Sequence, residues 1–151
     1  MKALFMLVAV GALAAEPPGY VRWPAAELKG LSAKLAPKMN AQKLATEPLG
    51  KFVNYSVMAA YREADGEAEL HETQHDVFII ESGDGTLVIG GEVQGGKSTG
   101  PGEIRGPSIQ GGRRMPLGAG DLVSIPAKTP HQVLVKPGAK ITYLIVKINA
   151  P

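Results

Sequence analysis

The chain has 151 residues, of which 44% are hydrophobic and 20% charged, and its net charge is +2 at pH 7. This length fits one domain with a hydrophobic core and is short for two, and the composition excludes a chain that is disordered throughout. The small net charge, without a cluster of basic and aromatic residues, gives no support to nucleic-acid binding.

Residues 1–15 are predicted to form a cleaved secretory signal. Lys2 precedes an apolar run from Ala3 to Val10, and Ala12-Leu13-Ala14 fits a cleavage site. A membrane anchor needs about 20 apolar residues, and this run stops at Glu16, so no membrane anchor is expected. The alternative is a buried N-terminal strand. We expect an exported protein, periplasmic or extracellular, without disulfides because the chain has no cysteine.

Residues 16–50 are predicted to be an N-terminal extension with one short helix. Leu28, Leu31 and Leu35 recur at helical spacing over residues 24–35, and Pro37 ends the pattern. This helix and the preceding Trp23 would cover an open sheet edge or a partner subunit. We therefore expect a homodimer.

From residue 51 the pattern changes to short strands separated by turns, and residues 51–151 are predicted to form the main domain. The strands are expected at Phe52–Arg62, Glu67–His71, Val77–Ile80, Thr86–Gly90, Leu122–Ile125, Gln132–Val135 and Ile141–Ile148. Residues 82–85 are predicted to form a hairpin turn, and residues 91–112 a long loop. The predicted fold class is all-β, a small antiparallel barrel with a short N-terminal helix.

The segment GEVQGGKS at residues 91–98 matches the phosphate-binding pattern G-x-x-x-x-G-K-[ST]. That pattern has a physical meaning only where a strand enters the loop and a helix leaves it. The following residues are rich in glycine and proline, which form helices poorly. We therefore expect no nucleotide site, and we assign Lys97 and Ser98 to the surface of the loop.

Residues 69–83, ELHETQHDVFIIESG, resemble the first motif of the cupin superfamily, G-x5-H-x-H-x(3,4)-E-x6-G. The spacing is kept, with His71 at the second histidine and Gly83 at the final glycine. Glu69 replaces the first histidine, and Asp76 replaces the glutamate. The first motif is thus only partly preserved in residue type.

Residues 120–131, GDLVSIPAKTPH, resemble the second cupin motif, G-x5-P-x-G-x2-H-x3-N. Gly120, Pro126 and His131 match, whereas Lys128 replaces the second glycine and Val135 the final asparagine. The resemblance covers residues 52–148 and implies a secreted, single-domain cupin barrel of the cupin 2 conserved-barrel type.

The resemblance implies a divalent metal ion at one end of the barrel, held by Glu69, His71, Asp76 and His131. His75 would replace Asp76 if the turn rotated by one residue. Such a mixed nitrogen and oxygen set suits Fe, Mn, Ni or Zn. The two imidazoles of His71 and His131 should then point to one place inside the barrel. The alternative is a metal-free cupin whose carboxylates are hydrogen-bonded to the histidines or solvated.

Arg105 is a candidate substrate-binding residue, because the glycines at 102 and 106 would let the chain fold over the barrel mouth. Its guanidinium would hold a substrate carboxylate through two hydrogen bonds. The alternative is a solvated loop arginine paired with Glu103.

Two classes of function remain open. The first is a metal-dependent enzyme of isomerase, lyase or dioxygenase type that acts on a small oxygenated molecule, with His75 or a carboxylate moving the proton. The second is a non-catalytic module that binds a small ligand or a metal. The fold alone does not choose between them.

Overall fold

The computed structural model describes residues 15–150. Residues 1–14, which carry most of the predicted secretory signal, lie outside this range. Within residues 15–150, no helix is both long enough and apolar enough to span a membrane.

The predicted N-terminal helix is confirmed as α1, Ala25–Leu35, followed by a single 3-10 turn at Ala36–Lys38. Pro24 stands just before the first helical residue, where its missing N–H costs no helical hydrogen bond. Leu31 and Leu35 are buried against the sheet with Tyr61 and Leu144. The helix thus covers one outer face of the sheet.

Apart from this helix and turn, the regular secondary structure of the described chain consists of β-strands, which confirms the predicted all-β class. The twelve strands are β1 Leu44–Lys51, β2 Tyr55–Arg62, β3 Ala68–His71, β4 Gln74–Ile89, β5 Glu92–Gln94, β6 Lys97–Gly100, β7 Glu103–Gly106, β8 Ser108–Gln110, β9 Arg113–Gly118, β10 Leu122–Ile125, β11 His131–Leu134 and β12 Ile141–Asn149. Ten of them form one curled sheet with the main order β1-β2-β12-β4-β11-β3-β7-β6, while β9 and β10 also pair with β4, and β5 pairs with β8. Every pair is antiparallel.

The expected hairpin turn at residues 82–85 is wrong, because β4 runs without interruption through this region. Its first half pairs with β10 and β12, and its second half pairs with β9 and β11. Gly83 has φ +78°, and a Cβ there would lie 1.9 Å from the Lys140 carbonyl oxygen. A glycine at this point therefore lets a single long strand bend from one side of the barrel to the other.

The expected long loop at residues 91–112 is also wrong. It contains the four short strands β5 to β8, and β7 adds to the barrel sheet beside β3. These strands could not be predicted because each has only three or four residues, which is too short for an alternation of buried and exposed positions to be recognised. Strand β1 likewise lies almost entirely within residues 16–50, where only a helix was expected, and pairs along β2.

The barrel interior is filled by inward-facing side chains. Along β12, Tyr143 and Ile145 point inward, whereas Leu144 packs outward against the helix layer, as strand alternation requires. The interior cluster comprises Ala60, Phe78, Ile80, Leu87, Leu117, Ile125, Val133, Val135, Ile141, Tyr143 and Ile145. This apolar core fills one part of the barrel and leaves the polar groups described next at the other.

Candidate metal centre and its cavity

Three strands bring together four side chains, three of them from residues 69–76 and the fourth from His131, far along the chain. Glu69 and His71 are two residues apart on β3 and therefore face the same way, and His131 on β11 is paired directly with Glu69. Asp76 faces the same interior from β4. One potential ligand atom from each of the four residues lies within 4.8 Å of the others.

Each imidazole is held by its Nδ1 atom. His71 Nδ1–H donates to Glu103 Oε2 at 2.8 Å, and His131 Nδ1–H donates to the Thr129 carbonyl oxygen at 3.0 Å. These hydrogen bonds fix the ring orientations and leave both Nε2 atoms facing the shared centre. A carboxylate or carbonyl behind a histidine is a common arrangement around protein-bound metals.

The two carboxylates complete the centre. Asp76 Oδ2 lies 3.3 Å from His71 Nε2 and 3.6 Å from His131 Nε2. Glu69 Oε2 lies 3.3 Å and 3.9 Å from the same two nitrogens. His131 Nε2 is buried and has no hydrogen-bond partner among the described residues. A buried acceptor without a donor, beside two carboxylates, fits a bound cation.

Lys147 on β12 is a member of this centre that the sequence analysis missed. Its Nζ lies 2.8 Å from His71 Nε2 and 3.0 Å from both carboxylate oxygens of Asp76. The inward alternation of Tyr143, Ile145 and Lys147 along the predicted last strand was the available signal. The ammonium thus supplies a positive charge where a metal ion would otherwise do so.

The pKa values of His71, Glu69 and Asp76 are shifted so that the histidine is protonated and the two carboxylates are ionised. Burial favours neutral His71, but hydrogen bonds to Asp76 and Glu69 outweigh burial and raise its pKa to about 9. Burial likewise opposes the charged form of Glu69, but the hydrogen bond to His71 and the charge of Arg105 lower its pKa to about 2. Burial also opposes ionised Asp76, whose pKa the histidines and Lys147 nevertheless lower. A metal ion would displace the proton from His71.

The structure places the other two candidate residues differently from the expectation. His75 adjoins Asp76 on β4 and so projects from the opposite face, where its Nδ1 accepts the Ala127 N–H at 3.2 Å. It does not join the four-residue group and does not replace Asp76. Arg105 lies on strand β7, not on a loop, and its guanidinium is already ion-paired with Glu69.

The centre opens into a cavity of about 260 Å³ inside the barrel. Its wall combines apolar side chains such as Phe78 and Ile145 with Arg62 and Tyr143, which lie further along the same interior. Burial raises the pKa of Tyr143, against the effect of Arg62, so the phenol keeps its proton at neutral pH. The cavity is large enough for a small molecule and offers it both a cation site and a proton donor.

Sequence comparison identifies no relative: no protein-family model and no curated protein matches the chain. Solved structures do match. The nucleoside dehydratase Pac13 from Streptomyces, solved with uridine, aligns with a TM-score of 0.53 at 13% identity over 75% of each chain. The polyketide cyclase RemF from Streptomyces resistomycificus aligns with a TM-score of 0.52 at 17% identity, over 75% of this chain and 71% of its own.

The protein TT1209 from Thermus thermophilus aligns with a TM-score of 0.56 at 18% identity, over 79% of this chain and 94% of its own. At such identities the likeness shows the fold and no more. The described chain therefore has a cupin-like barrel fold, as the two sequence motifs implied.

Proposed function

We propose that this protein is a metal-dependent enzyme of lyase or isomerase type that acts on a small oxygenated molecule inside the barrel. The observation that carries the proposal is the convergence of two anchored imidazoles and two carboxylates on one point. Two neutral imidazoles and two carboxylates carry a charge of −2, which a divalent ion balances. Fe, Mn, Ni and Zn all suit such a donor set.

The bound ion would act as a Lewis acid that polarises a substrate oxygen. The protein's own groups would do the rest. Glu103 and the Thr129 carbonyl hold the two imidazoles, and the apolar wall around Phe78 limits water. Tyr143, whose phenol stays protonated and lines the same cavity, would donate a proton to a leaving oxygen. That two structural neighbours are named as a dehydratase and a cyclase supports an enzymatic use of the barrel.

A second candidate is favoured by one specific observation, the position of Lys147. Because its ammonium contacts both oxygens of Asp76, the charge of the centre is partly balanced without an ion. The chain would then be a non-catalytic module that binds a small ligand beside a lysine. The two candidates differ in whether the ion is needed.

Proton exchange separates them without knowledge of the substrate. The protein is stripped with EDTA, reloaded with Zn²⁺, and incubated in D₂O with small hydroxy acids and hydroxy ketones while NMR follows the C–H signals. We expect loss of C–H signal or loss of water with the loaded wild type, and neither with the stripped protein or with His131→Ala. Equal behaviour of the loaded and stripped proteins would favour the binding module.

We also propose that the protein is exported and forms a homodimer. The sequence of residues 1–15 supports export. The edge position of β1 in the ten-stranded sheet, together with fully exposed Val53 just after it, supports pairing between subunits. N-terminal sequencing of the mature protein tests the first proposal, and light scattering at tens of micromolar tests the second.

A further inference from the structure

A buried arginine without an acidic partner stands inside the cavity. Arg62, the last residue of β2, is only 7% exposed, and its guanidinium lines the cavity wall. Its Nε atom is buried and has no hydrogen-bond partner among the described residues. A buried charge left without a counterion is costly, and an anionic ligand bound beside it would offset that cost.

The other two cationic side chains in the cavity wall, unlike Arg62, each have an acidic partner. Arg105 is ion-paired with Glu69, and Lys147 with Asp76. Within residues 15–150, no carboxylate lies within 4.0 Å of the Arg62 guanidinium. Of the three cations in the cavity wall, only this one has its charge unpaired in the described part of the chain.

The acidic residues that follow Arg62 in sequence contact other groups, and Glu67, which also lines the cavity, lies 4.0 Å from the Arg105 guanidinium. Glu63 accepts the hydroxyl of Tyr61, which lies on the outer side of the sheet. Asp65 accepts the Val135 N–H at 2.8 Å. Tyr143 lines the same cavity near the guanidinium, but its phenol is neutral and provides no counter-charge. The positive charge is therefore available to something that enters the cavity.

We propose that Arg62 binds an anionic group of the ligand, a carboxylate or a phosphate, so that the small molecule spans the cavity from Arg62 to the metal centre. A guanidinium matches either group through two parallel hydrogen bonds. This inference deepens the proposed function and rests on the same cavity. It also reassigns the anion-binding role that the sequence analysis gave to Arg105, whose charge is already used by Glu69.

Gly66 packs directly against the guanidinium of Arg62. A Cβ on Gly66 would lie 2.9 Å from Arg62 Cζ and 3.0 Å from Nη1. Gly66 does not have a left-handed backbone, so alanine fits its conformation and only the guanidinium must move. Gly66→Ala is therefore a way to displace the charge without removing it.

The test uses three probes that share a three-carbon skeleton: glycerate, glycerol 3-phosphate and uncharged glycerol. Each is titrated by NMR into EDTA-treated full-length protein, so that metal binding plays no part. We expect at least one of the two anions to bind at least tenfold more tightly than glycerol. Arg62→Met should remove that preference, Gly66→Ala should weaken it, and the exposed control Arg113→Met should leave it unchanged. Which anion binds more tightly identifies the group.

Thermal unfolding distinguishes a ligand-binding arginine from a structural one. Arg62→Met keeps the length of the aliphatic stem and removes the buried charge, so its Tm without ligand should equal or exceed that of the wild type. Equal binding of glycerol and the anions by wild type would overturn the inference, as would an unchanged preference in Arg62→Met. A separate Zn²⁺ titration of the same samples reports on the metal centre, so failure of the anion site and failure of the metal site are read independently.

Discussion

Lys147 and a metal ion compete for the same ligand atoms. The ammonium lies 3.0 Å from both oxygens of Asp76 and 2.8 Å from His71 Nε2, which are atoms that an ion would use. Before an ion binds, Lys147 must therefore give up these contacts. We therefore expect Lys147 to lower the metal affinity of these four residues.

Replacing Lys147 with methionine should for this reason tighten metal binding. We expect the Zn²⁺ affinity of Lys147→Met to rise by at least about tenfold, the scale on which groups next to a metal ligand act. Isothermal titration calorimetry on EDTA-treated protein measures it. Exposed Lys136→Met is the matched control and should bind as the wild type does. An unchanged or weaker affinity in Lys147→Met would show that the lysine does not compete.

Glu103 should have the opposite effect. Its carboxylate accepts the His71 Nδ1–H at 2.8 Å and so holds the ring with Nε2 toward the centre. Glu103→Gln keeps the shape and removes the charge. We expect Glu103→Gln to bind Zn²⁺ about 10- to 100-fold more weakly than the wild type, with little change in unfolding temperature. The calorimetric titration used for Lys147→Met measures this affinity. Wild-type affinity in Glu103→Gln would mean that the ring is oriented by packing alone.

The motif spacing was sufficient to predict the convergent group of four residues, but not its neighbours. Glu69, His71, Asp76 and His131 were selected because two motifs share their spacing with a known barrel. Lys147 belongs to neither motif, and its place in the centre follows from the register of β12 against β4, which pairs it with Asp76. Register depends on contacts between strands that are far apart in sequence, which a linear pattern does not report.

At the scale of the strand, the bend in β4 decides whether the barrel closes. Both halves of this strand carry neighbours on each side, so a distortion at Gly83 affects β9, β10, β11 and β12 together. The sequence Ser-Gly-Asp-Gly at residues 82–85 is also a good hairpin turn. Only the tertiary structure shows that the glycine serves a bend within one strand.

Gly83→Ala should accordingly be severely destabilising. Its Cβ would overlap the Lys140 carbonyl oxygen, and its backbone has φ +78°. We expect a loss of about 4 kcal/mol or more in the free energy of unfolding, at the extreme of single substitutions. Gly138→Ala is the matched control, with φ +81° and open space around the site, and should cost only about 1–2 kcal/mol of backbone strain. Urea denaturation compares them, and equal losses would contradict the steric argument.

The segment over residues 91–112 shows the same limit of sequence reasoning. Strands of three or four residues set between glycines are too short to show an alternation, yet β7 supplies both Glu103 and Arg105 to the candidate metal centre. By contrast, the long strands β2 and β12 were predicted within a few residues of their observed ends, because their sequences are long, nearly continuous apolar runs. The strands within residues 91–112 that could not be predicted thus have only three or four residues, whereas β2 and β12 are long and apolar.

At the scale of the whole molecule, the metal ion should act as a clamp between strands. The four residues that would hold it come from β3, β4 and β11, and β11 pairs with both other strands although it lies far from them in sequence. An ion that binds only the folded state, present at about 100 times its Kd, stabilises that state by about 2.7 kcal/mol. For a chain of this size, Tm should rise by about 5–10 °C. Calorimetric scans with Zn²⁺ measure the rise, which His71→Ala should abolish.

The central claim is that His71 and His131 direct their Nε2 atoms at one metal ion. A crystal of the EDTA-treated protein soaked in Mn²⁺ tests it directly, through anomalous diffraction. The account predicts one strong anomalous peak inside the barrel, at bonding distance from both Nε2 atoms and from at least one oxygen of Glu69 or Asp76. Lys147 Nζ should then be displaced from Asp76. Absence of a peak there, with Lys147 still bound to Asp76, would contradict it.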